Sequence, residues 1–320
     1  FQGAHAGISS LRANFPDDME RCAMRIVFLG TGAALPDPDR CHTSILLTLD
    51  NGRHFLLDCG HGATRQMMRV NVNPADVAHL LLTHLHHDHV CELPFFVISS
   101  WILSRPGALD IRGPKGTQKL VGHLFENGAF DADIRARSAY PVRQANIEAV
   151  RPKVTEYEAG VIFEDGDIKV TADHMDHIPP EISPCFGFRI EAEGKIVTFS
   201  GDTAPCEGIK RLSQGADLLI HECTFTEAFI EHRRKSQVGT FSHTSPSELG
   251  RLAVDCKVKH LIATHIGHVD SLSPVLKRAA VKHMPVDLMG PQQIDAFVED
   301  IRRTYPGPLQ IAHDLMRVDL

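Results

Sequence analysis

No two cysteines stand in a C-x-x-C spacing, although the chain holds eight, at positions 22, 41, 59, 91, 185, 206, 223 and 256. Thiols scattered in this way through 320 residues argue against a disulfide framework and for free cysteines in a reducing cytoplasm. Long apolar runs are missing as well. The longest uncharged stretch, LPFFVISSWILS (93–104), is too short to span a bilayer and reads as a buried helix. Basic charge is in deficit: 33 Lys and Arg against 40 Asp and Glu leave a net charge of −7, so no global basic field recruits nucleic acid or an acidic membrane. There is no GxGxxG, and RGPKG (112–116) lacks the lysine–hydroxyl pair of a phosphate loop, so it reads as a turn. Repeats and low-complexity segments are absent. The opening FQGAHAGISS lacks the basic start and apolar core of a secretory signal and resembles a cleaved tag and linker. Residues 1–23 are therefore set aside, and 24–320 are expected to form one catalytic domain. The composition, 43% hydrophobic and 23% charged, suits such a globular chain.

What is present is a strong strand–helix pattern. MRIVFLGTG (24–32) is rich in β-formers, and SILLTLDNGRHFLLDCG (44–60) reads as two strands about Asn51-Gly52, a pair that tolerates the positive φ of tight turns. Helices are expected at 63–70, 92–105, 245–256 and 292–303, and strands at 167–175, 185–202 (a hairpin through Glu193-Gly194), 216–222 and 259–266. Residues 131–155 are the least regular and read as a loop or lid. Each half opens on hairpins and then alternates strand with helix. That predicts an α/β fold, two mixed sheets face to face with helices outside.

LLTHLHHDHV (81–90) puts four histidines and an aspartate into six positions after an apolar run. If the strand continues through them, His84 and His86 point to one side, and Asp88 and His89 face back from the next helix. Imidazole nitrogen and carboxylate oxygen are the ligands that zinc-like divalent ions prefer. Companions stand at other strand ends: Asp202 in FSGDTAP, His265 in LIATHIGH, and a histidine of TADHMDHIPP, either His174 or His177. That is more than one ion needs, so two metals are expected.

This series, T-H-x-H-x-D-H, a lone histidine, S-G-D-T and T-H after a strand, resembles the metallo-β-lactamase superfamily, whose fold is a four-layer αβ/βα sandwich. FLGTG, LLDCG, IRGPKG, FGFR, DLLIHE and the final DLM are similar to ribonuclease Z and to the zinc-dependent arylsulfatases, with SSWILSR and GVIFEDGDIKVTA nearer the latter. The resemblance implies one metal at His84, His86 and His177, a second at Asp88, His89 and His265, and Asp202 bridging them. Zinc is the first choice, manganese or iron the alternatives. It favours His177 over His174, because the ligand in relatives lies just before a Pro-containing loop. Asp58 would fix a histidine tautomer from behind. The resemblance implies that two metals would acidify a shared water, whose bridging hydroxide would be the nucleophile toward the substrate. Besides Asp88, the catalytic residues implied are His243, beside the leaving oxygen, and Glu222, which orients it. Two departures stand out: the long IPPEISP loop, and His87 where relatives carry a small residue, read as facing solvent. The basic run EHRRKSQ (231–237) reads as a solvated face, with overhang of the site as the alternative. Cys59, Cys185, Cys223 and Trp101 read as core.

The function expected from these residues is hydrolysis of a small anionic ester, an aryl or alkyl sulfate or a phosphodiester, by a cytoplasmic protein without membrane attachment, with a homodimer left open. A ribonuclease Z-type nuclease trimming tRNA 3′ ends is the main alternative. Those enzymes carry a long arm between Gly-Phe-Arg and S-G-D-T, where this chain has only IEAEGKIVTF, and that argues against a nucleic-acid partner. Lactonase-type hydrolysis and a non-hydrolytic di-iron or binding protein complete the alternatives. Redox members replace the second histidine with glutamate, and here it is His86.

Overall fold

The structure, a computed structural model, describes residues 24–236, 242–280 and 288–320. The expected tag and linker lies outside them. Strands β1 (Met24–Gly30), β2 (Ser44–Leu49), β3 (His54–Leu57), β4 (Val77–Leu81), β5 (Asp110–Gly113) and β6 (Lys153–Glu156) build one sheet. The other comprises β7 (Gly160–Glu164), β8 (Ile168–Met175), β9 (Cys185–Ala192), β10 (Lys195–Phe199), β11 (Leu218–Glu222), β12 (Leu261–Thr264) and β13 (Leu309–Ile311). The last strand, β14 (Arg317–Asp319), crosses back to pair with β1, so the orders are β14-β1-β2-β3-β4-β5-β6 and β13-β12-β11-β10-β9-β8-β7.

Period-2 alternation explains the layering. In β2, Ile45 and Leu47 point inward and pack with Phe28 and Phe55 against Phe186, Phe188 and Phe199 of the facing sheet, while Leu46 points outward. The outward layer, with Leu56 and Leu80, is covered by helices Ala63–Arg69 and Leu93–Ile102, the latter burying Phe96 and Trp101. On the other side, Leu219, Leu261 and Ala263 lie under helices Pro246–Asp255 and Gln292–Arg302. Both sheets are buried on both faces, which is why β1, β2, β11 and β12 read as continuous apolar runs. The result is the expected αβ/βα sandwich.

Strands β3 to β6 run parallel, as do β10 to β13. Their C-terminal ends open on one edge, where loops can gather polar groups outside the sheets. The connection from β9 to β10 is only Glu193-Gly194, both at positive φ (54° and 73°), the geometry of a tight hairpin turn. Helix Pro246–Asp255 begins in the capping box of Ser245 and Glu248 that its sequence announces.

Residues 131–155 are not a loop or lid. They form helices Asp131–Ser138 and Pro141–Gln144, a single turn at Ile147–Val150 and the edge strand β6. Ion pairs one turn apart, Asp131–Arg135 and Asp133–Arg137, support a helix whose one buried side chain is Ile134. With so few apolar residues its periodicity is invisible in the sequence. A cavity of about 440 Å³ lies among Phe125, Ile134 and Ile147 and touches none of the expected ligands. No helix among the described residues is long and apolar enough to cross a membrane.

Candidate metal centre

Strand β4 ends at Leu81, three residues before His84. The expected strand alternation through His84 and His86 is therefore corrected: both sit in the connection to helix His87–Val90. This tight path still turns them toward Asp88 and His89, which the helix buries on its inner face. The facing sheet sends in His177 after β8, Asp202 after β10 and His265 after β12. His265 (φ 55°) and Asp58 (φ 56°) adopt left-handed backbone, a strain held by the surrounding sheets, whereas Gly201 (φ 56°) adopts it without a Cβ to clash.

Ligand-type atoms of His84, His86, His177 and Asp202 lie within 4.8 Å of one another, as do those of Asp88, His89 and His265. Asp202 stands between the groups: Oδ2 is 3.6 Å from His177 Nε2 and 3.2 Å from His265 Nε2, while Oδ1 is 3.5 Å from His89 Nε2. His174 is on β8 with its ring 4.8 Å from that of Phe186, outside the cluster.

The outer nitrogens are tied down. Asp58 Oδ2 accepts from His89 Nδ1 at 2.8 Å and from Thr83 Oγ1 at 2.8 Å. Thr83 Oγ1 is 3.0 Å from His84 Nδ1, and Thr224 Oγ1 is 2.9 Å from His265 Nδ1. His177 Nδ1 donates to the Ser242 carbonyl at 2.9 Å. Thr83, Thr224 and Ser242 were not foreseen. Thr83 had a local signal in its place before His84, whereas the other two depend on how distant segments meet.

Electrostatics test whether cations fit. Burial alone would raise the Asp202 pKa, yet the imidazoles of His265, His89 and His84 hold it well below the carboxylate range. Burial opposes charge on His89, but Asp202 and Asp58 outweigh it and raise its pKa well above the ordinary value. A proton there does the work of a cation among carboxylates. Burial pushes His84 well down, to the neutral form that coordinates metal. Nε2 of His84 and of His89 are buried without a hydrogen-bond partner. At His84 this is a lone pair aimed inward, and at His89 an ion would take the place of the proton.

Beside this cluster, His243 Nδ1 and Glu222 Oε1 are 2.8 Å apart, and Glu222 is fixed by the Thr203 and Thr224 amides. Burial disfavours charge on His243, but the Glu222 carboxylate, aided by Asp202, pushes its pKa up to about 9. The ring of His243 lies 5.2 Å from that of His177. A cavity of about 330 Å³ opens over His243 and the cluster, walled by Leu35, Phe225, Arg233 and His268. Arg233 lies 4.7 Å over the Phe225 ring, so this part of the basic run overhangs the site instead of forming a solvated face, while Arg234 and Lys235 are exposed. His87 is mostly exposed and bonds the Ala34 carbonyl at 3.1 Å. Cys59, Cys185, Cys223 and Trp101 are buried.

The sequence profile of the family described as "Anti-Pycsar protein Apyc1" matches residues 24–248. The ribonuclease Z of Mycobacterium bovis (strain BCG / Pasteur 1173P2) is 32% identical over 303 residues, covering 93% of this chain and 98% of its own. The chain belongs to the Apyc1 family, in the ribonuclease Z-like branch of the metallo-β-lactamase superfamily. It is a metal-dependent hydrolase of ester bonds. Among solved structures, the metallo-β-lactamase fold protein YhfI from Bacillus subtilis aligns with TM-score 0.65 at 19% identity, covering 93% of this chain and 99% of that one. The short form of human tRNase Z aligns with TM-score 0.62 at 21% identity, covering 92% and 98%. These likenesses agree with the sandwich fold, and the His/Asp clusters have the ligand types and spacing that could hold a divalent metal ion.

Proposed function

We propose that the chain is a dinuclear hydrolase of small anionic esters, with a phosphodiester as the first choice and an aryl or alkyl sulfate as the second. His84, His86 and His177 would hold one ion, Asp88, His89 and His265 the other, and Asp202 both, with zinc the preferred metal. Two divalent ions supply the acidity that makes water a nucleophile near neutral pH and polarise the ester oxygen. The remaining steps fall to the chain. Asp88 is held by His265 Nε2 at 3.3 Å, so it faces the reacting centre in a fixed orientation. His243, its Nδ1 bound to Glu222, turns Nε2 to the cavity and delivers a proton to the departing oxygen. Arg233, over the Phe225 ring that packs beside His243, supplies positive charge in the cavity wall for an anionic ester.

The His243–Glu222 pair beside the seven-residue cluster carries this reading, because protonating a leaving group is a task of ester cleavage. Phosphodiesters come first because relatives named ribonuclease Z cleave them. Trimming of tRNA is the second reading and rests on the same name. The two-residue β9–β10 turn and the net charge of −7 favour a small substrate, since an arm that grips phosphates has no room in that hairpin.

Bis-4-nitrophenyl phosphate, 4-nitrophenyl sulfate, 4-nitrophenyl acetate, a lactone and a precursor tRNA, tested on metal-replete protein, discriminate these readings. Fastest turnover of the phosphodiester is expected. Efficient 3′ trimming of tRNA at physiological salt would replace this reading with the second.

A further inference from the structure

We propose that a third, exchangeable metal ion binds on the outer face of the helix that carries Asp88 and His89, held by His42, His61 and Cys91. His42 Nδ1 and Cys91 Sγ are 3.8 Å apart. Two tetrahedral ligands of one zinc-like ion, with Zn–N about 2.1 Å and Zn–S about 2.3 Å, stand about 3.6 Å apart. The pair is thus already spaced for a shared ion.

The third donor comes from His61, whose ring centroid is 6.1 Å from that of His42, against 4.9 Å between His86 and His177 in the main cluster. Its side chain is 75% exposed and its ring stands off from the pair, so an ion would draw it inward by a change of rotamer in open space. The backbones are already joined, with the His42 amide donating to the His61 carbonyl at 3.1 Å. Glu92 Oε2 stands 3.5 Å from His61 Nδ1 and is anchored by the Gly62 amide at 3.1 Å, an orienting carboxylate of the kind that backs metal-bound histidines. His87 is not part of the set, because its Nε2 is committed to the Ala34 carbonyl.

Two imidazoles and one thiolate favour borderline divalent ions such as zinc, cobalt or nickel over magnesium or calcium. With three protein donors and an exposed thiol, the fourth position falls to water and the ion exchanges readily. The site is distinct in chemistry from the catalytic centre, where every candidate ligand is histidine or aspartate. Cys91 immediately follows the single helical turn that presents Asp88 and His89 inward, so the outer ion is separated from the catalytic ones by that turn alone.

Titration of the metal-stripped full chain with Co²⁺, read by optical absorption, tests the site. One near-ultraviolet thiolate-to-cobalt charge-transfer band per chain is expected, in addition to the visible bands of the histidine and aspartate sites. Cys91→Ser should abolish that band and remove one equivalent of cobalt. His61→Ala, a change at an exposed position, should weaken the same band's binding roughly tenfold or more. Absence of the charge-transfer band in the wild type, or its survival at full strength in Cys91→Ser, would overturn the proposal. A wrong count at the dinuclear centre would show instead in the visible bands, so the two readings fail separately.

Discussion

Four of the seven proposed ligands, His84, His86, Asp88 and His89, come from one connection after β4, while the facing sheet supplies His177, Asp202 and His265 singly, from the ends of β8, β10 and β12. The first arrangement is local: a six-residue turn fixes it, braced by Asp58 and Thr83 of the same sheet. The second exists only when three strands are in register, and its supports reach farther, from Thr224 to His265 and from Ser242 to His177. One side of the centre is thus set by a loop and the other by a sheet. Asp202 is where they meet.

Replacing that meeting point should have the largest effect. Asp202→Ala removes the carboxylate that stands between the two ligand groups, and metal content should fall below one ion per chain with activity lost in proportion. Full retention of two ions, measured by elemental analysis, would show that the groups hold metal independently. Next come the braces. Asp58→Asn and Thr224→Val should each weaken metal affinity by about 10–100-fold, the usual cost of losing a group that orients a ligand. Because Asp58 serves both Thr83 and His89, its loss should cost more than that of Thr224, which competition with a chelator would measure. The reverse order would mean that the sheet-borne side is the weaker one. Arg233→Ala should raise KM for anionic esters several-fold and leave metal content unchanged, since the residue lines the cavity and a guanidinium is not a metal ligand; salt should narrow the difference. Smallest, Ser245→Ala should cost about 1 kcal/mol of stability through the lost helix cap, read as a lowered Tm, with the ligands untouched.

The same contrast decides what the sequence reveals. His84 to His89 are legible because their density is local, and Asp202 and His265 because each follows an apolar strand. The sandwich is legible for the same reason: apolar alternation and turn pairs such as Glu193-Gly194 are short-range signals. Thr224 as a brace for His265 is not, since their contact depends on the parallel register of β11 and β12. The return of β14 to the first sheet depends on where the chain ends up in space. Residues 131–155 misled because their helix is held by surface ion pairs and one buried isoleucine. Arg233 was hidden in a charge run whose neighbours are indeed solvated.

The central claim is the proposal that His243, oriented by Glu222, protonates the leaving oxygen instead of holding an ion, although its ligand-type atom lies within 4.8 Å of those of Asp202 and His265. The direct test is kcat/KM for wild type, His243→Ala and Glu222→Gln across phosphodiesters whose leaving groups span a range of pKa, with metal content determined for each. Poor leaving groups should lose about 10²–10⁴-fold in His243→Ala, the usual range for general acid catalysis, whereas 4-nitrophenolate, which departs unprotonated, should lose far less. Glu222→Gln should show the same slope in milder form, with two ions bound throughout. A loss independent of the leaving group, or a loss of metal from His243→Ala, would contradict the account and make His243 part of the metal centre.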